Sequence, residues 1–200
     1  RRLGWRRTAI RPGALPLTVL GAGILWFGWF GFNAGSALAS DGAAANAFVT
    51  TQIAAAAAAT TWIVMEQITT GKPTTLGFAS GAVAGLVAVT PAAGFISPLW
   101  ALVIGIGAGT LCYGALQLKF RFNFDDSLDV VAVHLVGGMV GALLLGLFAE
   151  EAIGGVDGLF FGNAEQFLRQ VASVVVALAY SFIVSYIIAI ALDRTMGIRV

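Results

Sequence analysis

The stretch that decides the architecture runs from Lys72 to Lys119: KPTTLGFASGAVAGLVAVTPAAGFISPLWALVIGIGAGTLCYGALQLK. Between those two lysines lie 46 residues without a charge. A membrane-spanning helix needs about 20 mostly apolar residues. The gap is therefore too long for one span and long enough for two. Pro91, Gly94 and Pro98 punctuate its middle, which is where a turn is expected. It reads as two helices, near 74–90 and 97–119.

The same spacing extends in both directions. Uncharged stretches of 29, 24, 20 and 23 residues lie between Arg11 and Asp41, Asp41 and Glu66, Asp129 and Glu150, and Arg169 and Asp193. They predict spans near 16–39, 43–68, 126–149 and 167–193. The expected fold is an all-α integral membrane protein with six transmembrane helices. Residues 1–200 form a single membrane domain, and EEAIGGVDGLFFGNAEQ (150–166) is an ordered extramembrane loop. The stretch 16–39 ends in Ala37-Leu38-Ala39 before Ser40, which resembles a secretory cleavage site. Its apolar run is about twice the length of a signal core and carries Trp26, Phe27, Trp29, Phe30 and Phe32, so it reads as a span.

Composition agrees. The 200-residue chain is 58% hydrophobic and 10% charged, against about 25% charge in a soluble domain. So few charges cannot cover a water-soluble surface. A net charge of +1 gives no basic field for a nucleic acid, and the single cysteine, Cys112, excludes an internal disulfide framework. Orientation follows from Lys and Arg. With six spans, ten of the eleven positive charges fall in alternate loops on one side, counting Arg1, Arg2, Arg6, Arg7 and Arg11 before the first span. The positive-inside rule then places both termini in the cytoplasm.

Glycine recurs inside the spans at small-xxx-small spacing: Gly31/Gly35, Gly81/Gly85, Gly105/Gly109 and Gly137/Gly141. Such pairs let helix backbones approach closely in lipid. With the run Ala54–Ala59, they predict a tightly packed bundle. Polar groups inside spans carry more information. His134 is the only histidine, and α-helical spacing aligns it with Val130, Gly138 and Gly141. A neutral imidazole has one donor and one acceptor. It can relay protons or simply bond a neighbouring helix, and spacing alone leaves both open. No second histidine or cysteine sits at ligand spacing, so no metal is expected. Phe32 and Ser36 are four apart and share a face near Trp29, which suits either a small cation or an interfacial aromatic belt. Asp125, Asp126 and Asp129 precede the fifth span as N-terminal caps.

Four segments in order, GWFGFNAGSAL (28–38), GKPTTLGFASGAVAGLVAVTPAAGFI (71–96), DDSLDVVAVHLVGGMVG (125–141) and GIRV (197–200), resemble the ammonium transporter family (Amt/Mep/Rh), in a bacterial form. The resemblance covers the whole chain. It implies an eleven-helix subunit built from two five-helix halves as an inverted repeat, plus a last helix. This chain, which begins with Arg1, would hold the sixth to eleventh helices, without the N-terminal half and C-terminal tail. It implies ammonium or ammonia uptake across a bacterial plasma membrane, without enzyme activity or a cofactor. Partners would be ammonium, the lipid bilayer, two further copies in a homotrimer and a cytoplasmic PII-type regulator. At matching positions, Ser36 would recruit ammonium, Phe32 would gate the pore, and Trp29, Val130 and His134 would line it. The family often has glycine after the histidine. Here Leu135 follows, and α-helical geometry turns it to another face. A chain with half the pore wall is expected not to conduct alone. An ammonium sensor or regulatory subunit and an Rh-type gas channel are the alternatives.

Overall fold

A computed structural model describes residues 12–122 and 124–198. The terminal residues Arg1, Arg2, Arg6, Arg7, Arg11 and Arg199 of the charge count, and Val200 of the GIRV segment, lie outside the described residues. Among those described, the chain is helices and turns without strands. The helices are α1 (Leu15–Asn33), α2 (Gly42–Thr70), α3 (Thr75–Val89), α4 (Pro98–Phe122), α5 (Gly137–Phe148), the one-turn α6 (Glu151–Gly154) and α7 (Ala164–Thr195). A π-helical turn, Val131–Val136, leads into α5, and 3-10 turns follow at Gly35–Ala37 and Leu159–Phe161. Five helical segments are long and apolar enough to cross a membrane, and Thr75–Val89 is a shorter apolar sixth.

The centre is α2. Ala54, Ala55, Ala58 and Ala59 are completely buried because helices press on this run from two sides. A Cβ added at Gly85 of α3 or at Gly105 of α4 would come within 2.5 Å of the Ala54 carbonyl oxygen. At Gly81 and Gly109 it would come within 2.9 and 2.7 Å of the Ala58 carbonyl oxygen. Helix α5 continues the scheme, since a Cβ at Gly141 would overlap the Ala88 carbonyl of α3. Gly31 and Gly35 differ: a Cβ there meets nothing within 4 Å. Three of the four glycine pairs therefore pack helix on helix, and the fourth lies open.

Helix α3 is only 15 residues long, about 22 Å at 1.5 Å per residue, less than a hydrocarbon core of about 30 Å. The chain completes the distance in the 90–97 turn, where Pro91 follows the helix. Ala92, Ala93 and Ile96 there are buried. Non-helical backbone at this depth needs internal partners, and α2 supplies them. Asn46 Nδ2 donates to the carbonyls of Ala93 and Ile96, at 3.1 and 3.0 Å, and Thr50 Oγ1 donates to Ala93 O at 2.9 Å. Glu150 then accepts from Ser97 N at 3.0 Å, capping α4, with Pro98 as its first residue.

Two span boundaries differ from the sequence expectation for physical reasons. The first α-helix stops at Asn33, not near 39, because Gly35–Ala37 tightens into a 3-10 turn closed by Leu38 in the left-handed region (φ 54). Helical structure in the fifth span begins near 130, not 126. Asp126 uses both carboxylate oxygens to cap Val130 N (3.1 Å) and Val131 N (2.8 Å), and Asp129 adopts a left-handed φ of 57. The 150–166 connection is ordered by Gly158 N donating to Ala149 O at 2.8 Å and by Phe160 and Phe161, whose rings meet Trp100 edge to face with centroids 6.1 and 6.5 Å away.

The clamp makes a direct prediction. Gly105→Leu forces bulk against the α2 backbone and should cost about 1–3 kcal/mol or more, read as a lowered thermal transition in detergent. Gly31→Ala, where the Cβ meets no atom, should leave that transition unchanged.

Candidate functional site

Trp29 and Phe32 lie on one face of α1, as their spacing requires. Their rings meet edge to face with centroids 5.7 Å apart. Trp29 is half-buried and its Nε1 donates to Thr90 Oγ1 at 2.8 Å, fixing the indole against the end of α3. Phe32 is 61% exposed. Ser36 is not on the α-helical face with Phe32. It sits in the following 3-10 turn, where its hydroxyl donates to the Phe32 carbonyl. The proton being engaged, the exposed Ser36 oxygen is left as an acceptor.

His134 is at the far end, within the π-helical turn. The wider turn changes the expected stripe. Gly138 stays beside His134 in a cleft of about 780 Å³, whereas Gly141 turns into α3. Leu135 also lines that cleft, but not the cleft of about 540 Å³ on the other side of His134. A π turn reduces the angular step between neighbours. Val130 is 48% exposed and lines none of the four clefts described here. Its backbone N–H is held by Asp126.

Three clefts connect these residues. One of about 530 Å³ is lined by Phe32, Asn33, Ser36 and Thr90. A second, of about 470 Å³, is lined by Phe32, Trp29, Gly28 and Leu25. A third, of about 540 Å³, is lined by Leu25, Val83, Asp129 and His134. Phe32 is shared by the first two and Leu25 by the last two. Ser36, Phe32, Trp29, Leu25 and His134 thus line a row of neighbouring clefts. Leu25 was not singled out from the sequence. Its position four before Trp29 and seven before Phe32 was the available signal.

The His134 end is anchored by charge. Lys119, 7% exposed, donates to the Asp126 carbonyl at 2.9 Å and pairs with Asp129. The Asp129 carbonyl accepts from Val133 N at 2.9 Å. The ion pair therefore ties the end of α4 to the turn that presents His134. Among the described residues no three His, Cys, Asp or Glu side chains gather as metal ligands.

Comparison with known proteins places this geometry. The profile of the Ammonium Transporter Family matches residues 1–200. The ammonium transporter of Mycobacterium tuberculosis (strain ATCC 25618 / H37Rv) is 52% identical over 207 residues, covering 100% of this chain and 43% of that protein. Ammonium transporter Amt1 of Archaeoglobus fulgidus is 46% identical over 200 residues, covering 100% of this chain and 51% of that protein. The chain spans about half the length of the curated relatives it matches. The crystal structure of Candida albicans Mep2 superposes with a TM-score of 0.90 at 37% identity, covering 95% of this chain and 44% of that one. A structure of a sensor Amt protein matches at a TM-score of 0.85 and 30% identity, covering 94% of this chain and 46% of that one.

Lys119→Met should leave the partly exposed Asp129 without its partner and destabilise the complete protein by about 1–3 kcal/mol. Adding Asp129→Asn should recover part of that loss, because it removes the unpaired charge and still tolerates the left-handed φ of 57. Denaturant titration of both variants checks it.

Proposed function

The chain belongs to the ammonium transporter family, and from that premise we propose that this row of clefts, from Ser36 to His134, is a track that forms one wall of an ammonium pathway. The family consists of transporters rather than enzymes, and the chain is a multi-pass membrane protein. The observation that carries the reading is that neighbouring clefts between Ser36 and His134 share Phe32 and Leu25 as lining residues.

The chemistry follows from the lining. Ammonium has four N–H donors and no acceptor. At the outer end the Ser36 oxygen accepts one of them while the Phe32 and Trp29 rings offer negative π-faces. Beyond Phe32 the second cleft is lined by glycine, Ile24, Leu25 and aromatic carbon. A bare cation there would lose its hydration at a cost of many kcal/mol. Transfer of one proton, to water at the outer end or onward through His134, leaves neutral ammonia, which crosses the apolar section without that cost. At the inner end His134, in the same cleft as Leu25, can accept a hydrogen bond on one ring nitrogen and donate on the other. It can thus orient ammonia or pass a proton. Val130 would join the lining through contacts with the opposite wall.

In this reading both termini face the cytoplasm, in keeping with the charge bias of the loops, and the opposite wall comes from sequence beyond these residues. The homotrimer and the PII-type regulator belong to the same proposal. Transport is favoured over sensing because identity to named transporters reaches 52%, against 30% for the sensor Amt structure.

His134→Ala in the complete protein should lower saturable methylammonium uptake by at least about tenfold, in line with the worth of a positioned proton-transfer group. It should also weaken discrimination against potassium. Unchanged uptake and unchanged selectivity at equal surface abundance would return His134 to a packing role.

A further inference from the structure

We propose that the side-chain oxygen of Asn33 is a second hydrogen-bond acceptor for ammonium at the Ser36 end of the track, held in that orientation by Thr51. The inference rests on the pathway reading above.

Asn33 is the last residue of α1, half-buried, and lines the 530 Å³ cleft with Phe32 and Ser36. Its amide group has two faces, one donating and one accepting. Which of them meets α2 is fixed by proton counting. Thr51 is fully buried, and its Oγ1 donates to the Ala47 carbonyl at 2.6 Å. A hydroxyl has one proton, so toward Asn33 this oxygen can only accept. The contact at 2.9 Å therefore runs from Asn33 Nδ2 to Thr51 Oγ1. The opposite orientation would set two acceptors together in a buried place, with no donor between them. The amide oxygen is thus turned away from Thr51, and no protein donor reaches it among the described residues.

The same device acts one turn earlier. Thr90 spends its proton on the Leu86 carbonyl at 2.7 Å and accepts from Trp29 Nε1 at 2.8 Å. Two threonines, Thr51 buried and Thr90 half-buried, thereby act as fixed acceptors that hold α1. Trp29, whose ring has only a donor, is satisfied completely. Asn33 is not: one of its two polar ends is left over, in a cleft that also exposes the Ser36 oxygen. A cation with four donors that leaves water needs several acceptors in place of its hydration shell. Ser36 supplies one and Asn33 the next. Both are neutral, so the cation is held without a counter-charge that would trap it.

The test uses methylammonium uptake by the complete protein in cells lacking their own ammonium uptake, with KM and maximal rate per surface copy. Asn33→Leu removes both the acceptor and the tie to Thr51. Thr51→Val removes the tie and keeps the acceptor. Asn33→Asp combined with Thr51→Val keeps an acceptor oxygen and removes the Thr51 oxygen that it would otherwise face. A bond between a neutral group and a charged ligand is worth about tenfold or more in affinity. Asn33→Leu should therefore raise KM at least about tenfold, while Thr51→Val raises it by less than about threefold. The Asn33→Asp/Thr51→Val pair should raise KM by no more than Thr51→Val alone does. Equal KM effects from Asn33→Leu and Thr51→Val would reduce Asn33 to a helix tie and overturn the proposal. So would a KM raised tenfold by that pair, which decides the matter even if Asn33→Leu fails to reach the membrane. If His134→Ala lowers uptake while the Asn33 series is flat, this assignment fails alone. If both are silent, the pathway reading fails with it.

Discussion

Helices α3 and α4 are positioned by the contact between the backbone carbonyls of Ala54 and Ala58 and the glycines on either side. An alanine run has no side-chain bulk to hide its own backbone. Glycine on α3 and α4 lets both neighbours reach that backbone, at distances no Cβ would allow. Lipid supplies no hydrophobic force between helices, so close van der Waals packing and hydrogen bonds must hold them. Here the packing is concentrated on one helix, and α3 and α4 are fixed to it together. Helix α5 then docks on α3 through Gly141, and its leading turn carries His134 at the position set by that contact.

The second level is polar and sits on the first. Helix α1 has no buried residue of its own. It is held by two hydrogen bonds to threonines, Trp29 to Thr90 and Asn33 to Thr51, whose protons are committed to their own helices. Helix α1 therefore keeps a defined rotation, with Leu25 and Phe32 exposed beside the clefts. At the other end, Lys119 and Asp129 bind α4 to the turn before His134. The pair is partly buried, and it serves as a registry device. It fixes where the π turn begins, and so where the imidazole stands relative to Leu25.

Much of this was legible in the sequence, because charge in a membrane is too expensive to be placed at random. The gaps between charged residues gave the helices, and Pro91 and Pro98 gave the break between α3 and α4. Gly81, Gly85, Gly105 and Gly109 announced the packing faces. Trp29, Phe32 and Ser36, with His134, were picked out by spacing and resemblance. The misses have a common cause. The end of α1 before Ser36 and the late start of helical structure near Val130 both depend on departures from 3.6-residue periodicity. One is set locally by Gly35 and Leu38. The other is set by Asp126 capping Val130 and Val131 and by Lys119 on α4 meeting Asp129. A periodicity argument cannot see such contacts. Leu25 is a different case, since regular α-helical spacing from Trp29 and Phe32 already pointed to it.

The decisive experiment is to narrow the track at the residue shared by its middle and inner clefts. Leu25 is 45% exposed, so a larger side chain there enlarges into the cleft without disturbing the α2 clamp. In the complete protein, Leu25→Trp should abolish saturable methylammonium uptake while surface abundance and thermal stability stay at the parent level. Uptake at the parent rate under those conditions would show that ammonium does not travel along this face.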